Sequence, residues 1–376
     1  MAHVVAVAGA PKVMESNRRE VNIAVVSELA VRSASRRTPH PPVAQDMRGN
    51  AARAATDAMD RFSALDFMPT CKHSLSPLNT AAMDTTDILI VGGGPGGLQA
   101  ALTVARVHRQ AVLLDDGRYR NGPVRHMHNL VGADGAAPDE FRARALGELA
   151  AYETVGCRSL SANEIRESEA GFIADLSDGT SLAARAVILA TGVRDELPPI
   201  PGLAELWGGR VAHCPFCHAH EFAGGRMAIL GTEPASHLSD LLGPVAGSLT
   251  VFPLEGDSAD APNGSDVAAS HVVGMRDTGS ALELTLADGS HESVAVAFIA
   301  PPQRQRSALP ERLGLALNDS GCVRVDEFQH TSLPGVFAAG DMAHLSALAM
   351  STDSVASAIA SGEVAASSAI SHLLGE

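Results

Sequence analysis

The fold of this chain is decided by residues 87–97, which read DILIVGGGPGG. The apolar half of this stretch predicts a strand that is buried on both faces of a parallel sheet. The glycines that follow fit the pattern G-x-G-x-x-G. In that pattern Gly92 permits a tight turn, Gly94 lets the backbone approach a pyrophosphate, and Gly97 allows close contact between helix and strand. Residues 98–102 then open a helix, whose N-terminal N–H groups and positive dipole favour phosphate.

An acidic residue stands where this motif requires one. The strand predicted at residues 111–114 ends at Asp115, close to the spacing of about 20 residues at which a carboxylate binds ribose hydroxyls. A glycine-rich turn without a ligand would need neither the helix nor the acid. We therefore interpret this segment as a dinucleotide-binding unit. Further buried strands are predicted at residues 186–192 and 335–341, and each runs into a glycine turn.

The second stretch that carries chemistry is HCPFCH at residues 213–218. Its two thiols, Cys214 and Cys217, can close a disulfide over a short loop. Positive charge on the histidine at either side would favour the reactive thiolate. A c-type haem attachment site has the same pattern but requires export, for which we find no signal. A zinc site would need a second pair of ligands at ordinary spacing, and the sequence has none there. A purely structural disulfide is a further alternative. We prefer a redox-active pair and predict no metal.

A second strand–turn–helix follows the cysteines. Residues 227–230 lead into GTEPAS at residues 231–236, where Glu233 stands at the position that needs a second glycine. A side chain there fills the space required by a pyrophosphate, and its charge repels phosphate. The next strand, residues 249–252, is followed by no arginine cluster for a 2′-phosphate. We expect a Rossmann-like lobe that has lost its nucleotide chemistry, so NADPH is not expected to bind.

The composition excludes several classes of function. The chain has 376 residues, 45% of them hydrophobic, and a formal net charge of −15. That charge argues against nucleic-acid and anionic-membrane partners. No apolar run reaches the roughly 18 residues of a membrane span. Five cysteines are an odd and low count, which argues against a secreted disulfide scaffold and for a reducing, cytoplasmic location.

Residues 1–82 differ from the rest of the chain. They show no sustained periodicity, and they contain the run RRTPHPP at residues 36–42. We interpret them as a disordered extension, or as a segment upstream of a true start at Met83. We expect these residues to be dispensable.

These features together resemble those of the thioredoxin-reductase-like flavoproteins, over about residues 85–376. The residues that carry the resemblance are the glycine motif at 92–97 with Asp115, the turn at 190–192, Cys214 and Cys217, and Gly340-Asp341. The resemblance implies an α/β fold with two Rossmann-like (three-layer ββα) domains, in which an FAD domain is split by an inserted, degenerate NAD(P)-type domain. The implied boundaries are 83–197 and 301–376 for the FAD domain and 198–300 for the inserted domain. It also implies a homodimer.

Within that family the chain is most similar to the dithiol oxidases that form disulfides in natural products of the gliotoxin and holomycin type. The shared residues are His213, His218 and Arg120-Asn121. This resemblance implies oxidation of a small-molecule dithiol with O2 as acceptor, giving H2O2, without NADPH. One alternative is a reductase that passes electrons from NADPH or ferredoxin to a thioredoxin-like protein. Another is a non-catalytic flavin-binding or redox-sensing module.

The resemblance also assigns roles to residues. Cys217 is expected against the flavin and Cys214 on the substrate side, with His213, oriented by Asn121, as the base and His218 assisting it. The residues expected to contact FAD are Gly92, Gly94, Pro95, Gly96, Gly97, Asp115, Asp116, Arg120, Asn121, His128, Asn129, Thr191, Gly192, Gly340 and Asp341.

Overall fold

The computed structural model describes residues 84–257 and 266–375. The extension at residues 1–82 and the alternative start at Met83 lie outside the described residues. In chain order the strands are β1 (Asp84–Val91), β2 (Ala111–Leu114), β3 (Val155–Arg158), β4 (Ala162–Ser168), β5 (Gly171–Leu176), β6 (Ser181–Leu189), β7 (Val193–Asp195), β8 (Val211–Ala212), β9 (Arg226–Leu230), β10 (Ser248–Phe252), β11 (Val272–Asp277), β12 (Leu282–Leu286), β13 (His291–Val294), β14 (Val296–Ile299), β15 (Gln303–Gln305), β16 (Val323–Val325), β17 (Val336–Ala338) and β18 (Ala343–Leu345). The helices are α1 (Pro95–Arg106), α2 (Pro138–Leu149), α3 (Leu203–Leu206), α4 (Pro215–His218), α5 (Ala235–Leu242), α6 (Leu309–Arg312) and α7 (Val355–Gly375), with a 3₁₀ turn at His220–Phe222.

The first lobe is built on a sheet in the order β3-β2-β1-β6-β5-β4, with β17 added beside β6. β6 pairs in parallel with β1 along one edge. Its other edge pairs first with β5 in antiparallel sense and then with β17 in parallel sense. Strand β1 is buried on both faces, because Leu89 packs into one core and Ile88 into the other. The chain leaves this sheet after β6 and returns to it at β17.

The second lobe lies between those two passages of the chain. It holds a parallel sheet in the order β10-β9-β14-β8 and an antiparallel sheet β11-β12-β13. The two connections between the lobes, β7 and β15, pair with each other in antiparallel sense. Both lobes therefore have the α/β architecture that the sequence predicts, with the second inserted into the first.

Close backbone contacts fix the first turn and its helix. A Cβ at Gly97 would lie 1.8 Å from the carbonyl oxygen of Gly92, so helix α1 lies directly on the turn that precedes it. A Cβ at Gly362 of helix α7 would lie 2.1 Å from the carbonyl oxygen of Gly96. Glycine at these positions is what lets α1 and α7 cross in contact, and the crossing places both helix N-termini at one end of the sheet.

The boundaries of two helices differ from those expected. The sequence predicts a helix over residues 138–152, and the helix ends at Leu149. The sequence also predicts a C-terminal helix over residues 351–374, and that helix begins at Val355. Its start is set by Ser354, whose hydroxyl accepts a hydrogen bond from the backbone N–H of Ser357 at 3.1 Å, as an N-cap does. In the part of the chain that the structure describes, none of the helices combines the length and the apolar character needed to cross a membrane.

Candidate active site

A cavity of about 600 Å³ opens at the carboxyl ends of the parallel strands in the first lobe. The loops after β1, β2, β6 and β17 line it, together with the N-terminus of α7. This is the edge at which open α/β sheets bind ligands. The segment that carries Cys217 closes the cavity from the second lobe.

The glycine turn leaves one side of the cavity free for a phosphate group. A Cβ at Gly94 would meet no atom within 4 Å, although the residues around it are packed tightly. Gly94 is also the N-cap of α1, and no side chain caps that helix. Bare N–H groups at the end of a helix, beside an open space, match the needs of a pyrophosphate. The chain therefore fits FAD at this turn.

Asp115 sits beside that turn, at the end of β2. Its Oδ1 accepts a hydrogen bond from the backbone N–H of Gly117 at 2.9 Å, and its Oδ2 accepts one from the hydroxyl of Tyr119 at 2.5 Å. Burial, followed by the hydrogen bond and charge of Asp115, raises the pKa of Tyr119 above its ordinary value. The guanidinium of Arg142 lies 3.9 Å from the centre of the Tyr119 ring. These contacts fix the carboxylate that is expected to meet a ribose.

Cys214 and Cys217 form a disulfide with their Cα atoms 5.3 Å apart. Cys214 is the N-cap of the short helix α4, and Cys217 lies in that helix. Cys217 lines the cavity, whereas the Phe216 side chain points outward and is 67% exposed. Of the two cysteines, Cys217 is the one among the residues that line the cavity.

His213 packs against the ring of Trp207, with the ring centroids 5.9 Å apart and the planes 26° from parallel. Its Nε2 lies 3.5 Å from Nη2 of Arg120. Burial first, and then the charge of Arg120, lower the pKa of His213 to about 4. His213 is therefore neutral at physiological pH, which differs from the positive charge that the sequence suggested beside Cys214.

His218 has a defined tautomer. Its Nε2 lies 3.2 Å from the carbonyl oxygen of Gly208, which can only accept a hydrogen bond, so Nε2 carries the proton. Its Nδ1 is buried, and no hydrogen-bond partner reaches it among the described residues. Burial lowers the pKa of His218, so this histidine is neutral as well.

Arg120 is surrounded by carboxylates from three other parts of the fold. Its Nη2 lies 2.7 Å from Oδ1 of Asp195, at the end of β7. Its Nη1 lies 2.9 Å from Oδ2 of Asp341 and 2.7 Å from Oδ2 of Asp353. Its Nε donates a further hydrogen bond to Asp195 at 3.0 Å. The sequence pointed to Arg120 and Asp341 as cofactor contacts, but it gave no signal for Asp195 or Asp353, which are distant along the chain.

The charges in this group act on one another. Burial alone would lower the pKa of Arg120, but the hydrogen bond to Asp195 and the charges of the three carboxylates raise it above its ordinary value. Burial raises the pKa of Asp341 to about 6, although the charge of Arg120 opposes that change. Burial would also raise the pKa of Asp353, but the charge of Arg120 and the hydrogen bonds from Ser351, Arg120 and Gln303 lower it. Arg120 is therefore a fixed cation at the cavity wall.

Most of the predicted site residues line this one cavity. They are Gly92, Gly94, Pro95, Gly96, Asp115, Asp116, Arg120, Asn121, His128, Thr191, Gly192, His213, Cys217, His218, Gly340 and Asp341. Gly97, Asn129 and Cys214 are not among the lining residues. Gly97 serves the helix–turn contact instead. Asn129 has a positive φ of 62°, and its N–H donates to Oδ1 of Asp134 at 2.7 Å.

Asn121 does not pair with His213 in this structure. Its Oδ1 accepts a hydrogen bond from Nη1 of Arg142 at 3.2 Å. The groups that contact His213 are Arg120 and Trp207. Where the sequence predicts Asn121 beside His213, the structure has a guanidinium and an indole.

In the second lobe, the turn that follows β9 is hydrogen-bonded by an aspartate side chain of the same lobe. Oδ2 of Asp257 accepts hydrogen bonds from the backbone N–H groups of Thr232 and Leu254, each at 2.9 Å. Glu233 itself is exposed. The N–H of Thr232, which a dinucleotide would use, is thus already bonded to a carboxylate. Glu233, which the sequence analysis singled out, and Asp257 therefore both belong to this turn.

A dithiol–disulfide pair that faces a cavity with a dinucleotide-binding turn defines the class of FAD-dependent thiol/disulfide oxidoreductases. The chain belongs to the pyridine nucleotide-disulphide oxidoreductase family, whose model matches residues 86–238 and 264–363. It is 33% identical to thioredoxin reductase tcpT of Claviceps purpurea, and the match covers 77% of this chain and 95% of the relative.

Solved structures show the same likeness. An oxidoreductase from Agrobacterium tumefaciens is 30% identical, with a TM-score of 0.71, and the match covers 77% of this chain and 99% of that one. HlmI is 28% identical with a TM-score of 0.70, and the match covers 77% of this chain and 93% of that one. The predicted α/β fold and the predicted thioredoxin-reductase-like family are confirmed. Family membership also implies FAD binding.

Proposed function

We propose that this protein oxidises a small-molecule dithiol to a disulfide through Cys214 and Cys217, with FAD as cofactor and O2 as electron acceptor. The observation that carries the proposal is the disulfide of these residues, with Cys217 on the same cavity as the bare N-terminus of helix α1. An electron acceptor bound at that turn would share the cavity with the sulfur of Cys217.

The disulfide provides a two-step exchange. A substrate thiolate attacks Sγ of Cys214, the bond between the cysteines breaks, and Cys217 leaves as a thiolate. The second thiol of the substrate then attacks the mixed disulfide, so the cyclic product leaves and Cys214 is released. Bound FAD would supply the acceptor for the two electrons of the reduced cysteine pair, and O2 would be the final acceptor, forming H2O2. His213 and His218, both neutral, are available to accept the thiol protons.

The residues of the second lobe favour an oxidase over a nicotinamide-dependent reductase. Asp257 occupies the N–H of Thr232, and Glu233 replaces the glycine at which a pyrophosphate would approach. Each adds negative charge where a dinucleotide carries its own. We therefore expect no productive NADPH binding and propose that electrons enter from the dithiol.

The test is oxygen consumption by the purified yellow protein after addition of a small dithiol such as dihydrolipoamide, without nicotinamide. We expect oxygen uptake with one H2O2 formed for each dithiol oxidised. Cys214→Ser and Cys217→Ser should abolish it while the bound FAD absorbance stays, and Cys157→Ser serves as the control cysteine. Retained turnover in Cys217→Ser would contradict the scheme.

The second candidate is a thioredoxin-type disulfide reductase, which the name of the Claviceps relative favours. Anaerobic addition of NADPH separates the two functions. Loss of the flavin absorbance at about stoichiometric NADPH would support the reductase. An unchanged spectrum, followed by bleaching on addition of the dithiol, would support the oxidase.

A further inference from the structure

Two turns of the cavity come from opposite sides of the inserted lobe. One follows strand β6 and carries Thr191 and Gly192, and the other follows β17 and carries Gly340 and Asp341. All four residues line the cavity. Strands β6 and β17 pair in parallel, so the two turns leave the same edge of the sheet side by side. The cavity therefore depends on how these turns are held together.

Met342, the residue after Asp341, joins the two turns through its side chain. Its sulfur accepts a hydrogen bond from the backbone N–H of Thr191 at 3.2 Å and another from the Thr191 hydroxyl at 3.3 Å. A thioether is a weak acceptor, yet this one takes both donors of a single residue. The contact joins residues that are 151 positions apart, one in each part of the split domain.

Other contacts of Met342 fix the position of its sulfur. The side chain is fully buried in a core of the first lobe. The carbonyl oxygen of Met342 accepts hydrogen bonds from the backbone N–H of Val323 at 2.8 Å and from Nε2 of Gln305 at 2.9 Å. Strands β15 and β16 therefore hold Met342, and Met342 in turn holds Thr191.

The contact also determines what Thr191 can offer to a ligand in the cavity. Met342 is not among the residues that line the cavity, and both donors of Thr191 bond to its sulfur. A hydroxyl has a single proton, so in this arrangement Thr191 presents no free donor. The contribution of Thr191 to a cofactor site is therefore the position of its turn.

A methionine in a core can also serve only to fill space, because its side chain is flexible and apolar. Leucine would then replace Met342 at little cost, since this exchange conserves volume. Leucine has no acceptor, however, so the N–H and the hydroxyl of Thr191 would lose their partner. The two roles of Met342 therefore predict different results for one substitution.

We propose that Met342 is a positioning residue of the cofactor site, whose sulfur holds the turn that carries Thr191 against the turn that carries Asp341. The inference concerns the binding of FAD, and it does not depend on the dithiol reaction. Without the sulfur, the turn after β6 would have to be ordered when FAD binds. Ordering a loop on binding costs free energy, so FAD would be held less tightly.

Met342→Leu provides the first test, because it removes the acceptor and keeps the volume. The purified holoprotein should release FAD about three- to tenfold faster than the wild type, as expected for the loss of one net hydrogen bond. Recovery of flavin fluorescence after dilution measures the rate. Met227→Leu, at a fully buried methionine of strand β9, is the control and should release FAD at the wild-type rate. Equal rates in Met342→Leu and the wild type would overturn the proposal.

The second readout needs neither turnover nor FAD. Hydrogen exchange of the amide of residue 191 is followed by NMR in ¹⁵N-labelled protein. Exchange should be at least about tenfold faster in Met342→Leu, because the turn opens locally, and unchanged in Met227→Leu. Unchanged exchange in Met342→Leu overturns the proposal. If the wild type oxidises no dithiol, the proposed function fails, while this measurement still decides whether the sulfur holds the turn.

Thr191→Val supplies a readout that a purely structural role of Met342 would not move. It removes the hydroxyl donor and keeps the shape of the side chain. If the sulfur acts through Thr191, the double variant with Met342→Leu should accelerate FAD release by less than the product of the two single effects. An acceleration equal to that product overturns the proposal. If Met342→Leu does not fold, faster amide exchange at residue 191 in Thr191→Val supports the proposal, and unchanged exchange overturns it.

Discussion

At the residue scale, Gly94 leaves a space beside its Cα atom that fits a ligand. The neighbouring glycines pack against backbone or side-chain atoms, yet a Cβ at Gly94 would meet nothing within 4 Å. Its φ of −72° is ordinary for any residue. Glycine at this position is therefore required by a ligand and not by the fold of the turn.

The first expected outcome concerns that space. Gly94→Ala should fold with unchanged stability, and its affinity for FAD should fall at least tenfold. The reason is that the added methyl group would occupy the space expected for the pyrophosphate. The matched control is Gly147→Ala on helix α2, which meets no atom within 4 Å and should stabilise the protein by up to about 1 kcal/mol. Absorbance of bound flavin and thermal unfolding measure both effects. Full flavin content in Gly94→Ala would place the pyrophosphate elsewhere.

A residue can also acquire its role from partners that are distant in sequence. Arg120 was expected to contact the cofactor because of its place after Asp115. Its partners Asp195 and Asp353 lie 75 and 233 positions further along the chain, so no local pattern could indicate them. Tertiary structure brings Asp195, at the end of β7, and Asp353, before α7, to the same guanidinium.

At the element scale, the contact between helices α1 and α7 depends on glycine. Gly362→Ala would place a methyl group 2.1 Å from the carbonyl oxygen of Gly96, and backbone atoms cannot move aside without shifting the helix. We expect a loss of about 1–3 kcal/mol in unfolding free energy. Ser367→Ala, on the exposed side of the same helix, should change it by less than about 0.5 kcal/mol. Denaturant unfolding compares them, and equal stabilities would show that the helices separate without cost.

The turn between β9 and α5 is stabilised by a side chain in place of a ligand. Asp257→Ala removes the acceptor of two backbone N–H groups, so the second lobe should lose about 1–3 kcal/mol of local stability. Glu255→Ala, at an exposed neighbour, is the control. Hydrogen exchange at Thr232 and Leu254 measures the effect. Unchanged protection in Asp257→Ala would contradict the assigned hydrogen bonds.

At the scale of the whole molecule, two buried groups make the free energy of unfolding depend on pH in opposite directions. The pKa of His213 is lowered to about 4 from 6.5, so the unfolded chain binds its proton first and stability falls as pH drops between these values. The pKa of Asp341 is raised to about 6 from 3.8, so the folded chain binds its proton first and stability rises over nearly the same interval. Each effect amounts to about 3 kcal/mol, and they largely cancel.

Single substitutions should separate the two effects. His213→Gln leaves the Asp341 contribution, so unfolding free energy should increase from pH 6.5 to pH 4 relative to the wild type. Asp341→Asn leaves the His213 contribution, so it should decrease over the same interval. Denaturant unfolding at a series of pH values, with equal FAD in each sample, gives the slopes. Parallel slopes in both variants and the wild type would contradict the opposed pair.

The sequence by itself determined the α/β class, the glycine turn, Asp115 and the cysteine pair, because each depends on spacing within one local segment. It also indicated a second lobe with an altered turn, since Glu233 stands where glycine is needed. These signals are short-range: a strand, a turn and a helix specify them without reference to the rest of the chain.

Only the tertiary structure decided which charges surround the site. Three sets of contacts join residues that are separate along the chain. They are the ion pairs of Arg120 with Asp195 and Asp353, the hydrogen bond of Arg142 to Asn121, and the hydrogen bond of the Thr232 N–H to Asp257. Burial then made His213 neutral, where the sequence suggested a positive charge beside Cys214, and it raised the pKa of Asp341. The physical reason is that desolvation and Coulomb energy depend on distance in space, and local sequence patterns do not contain that distance.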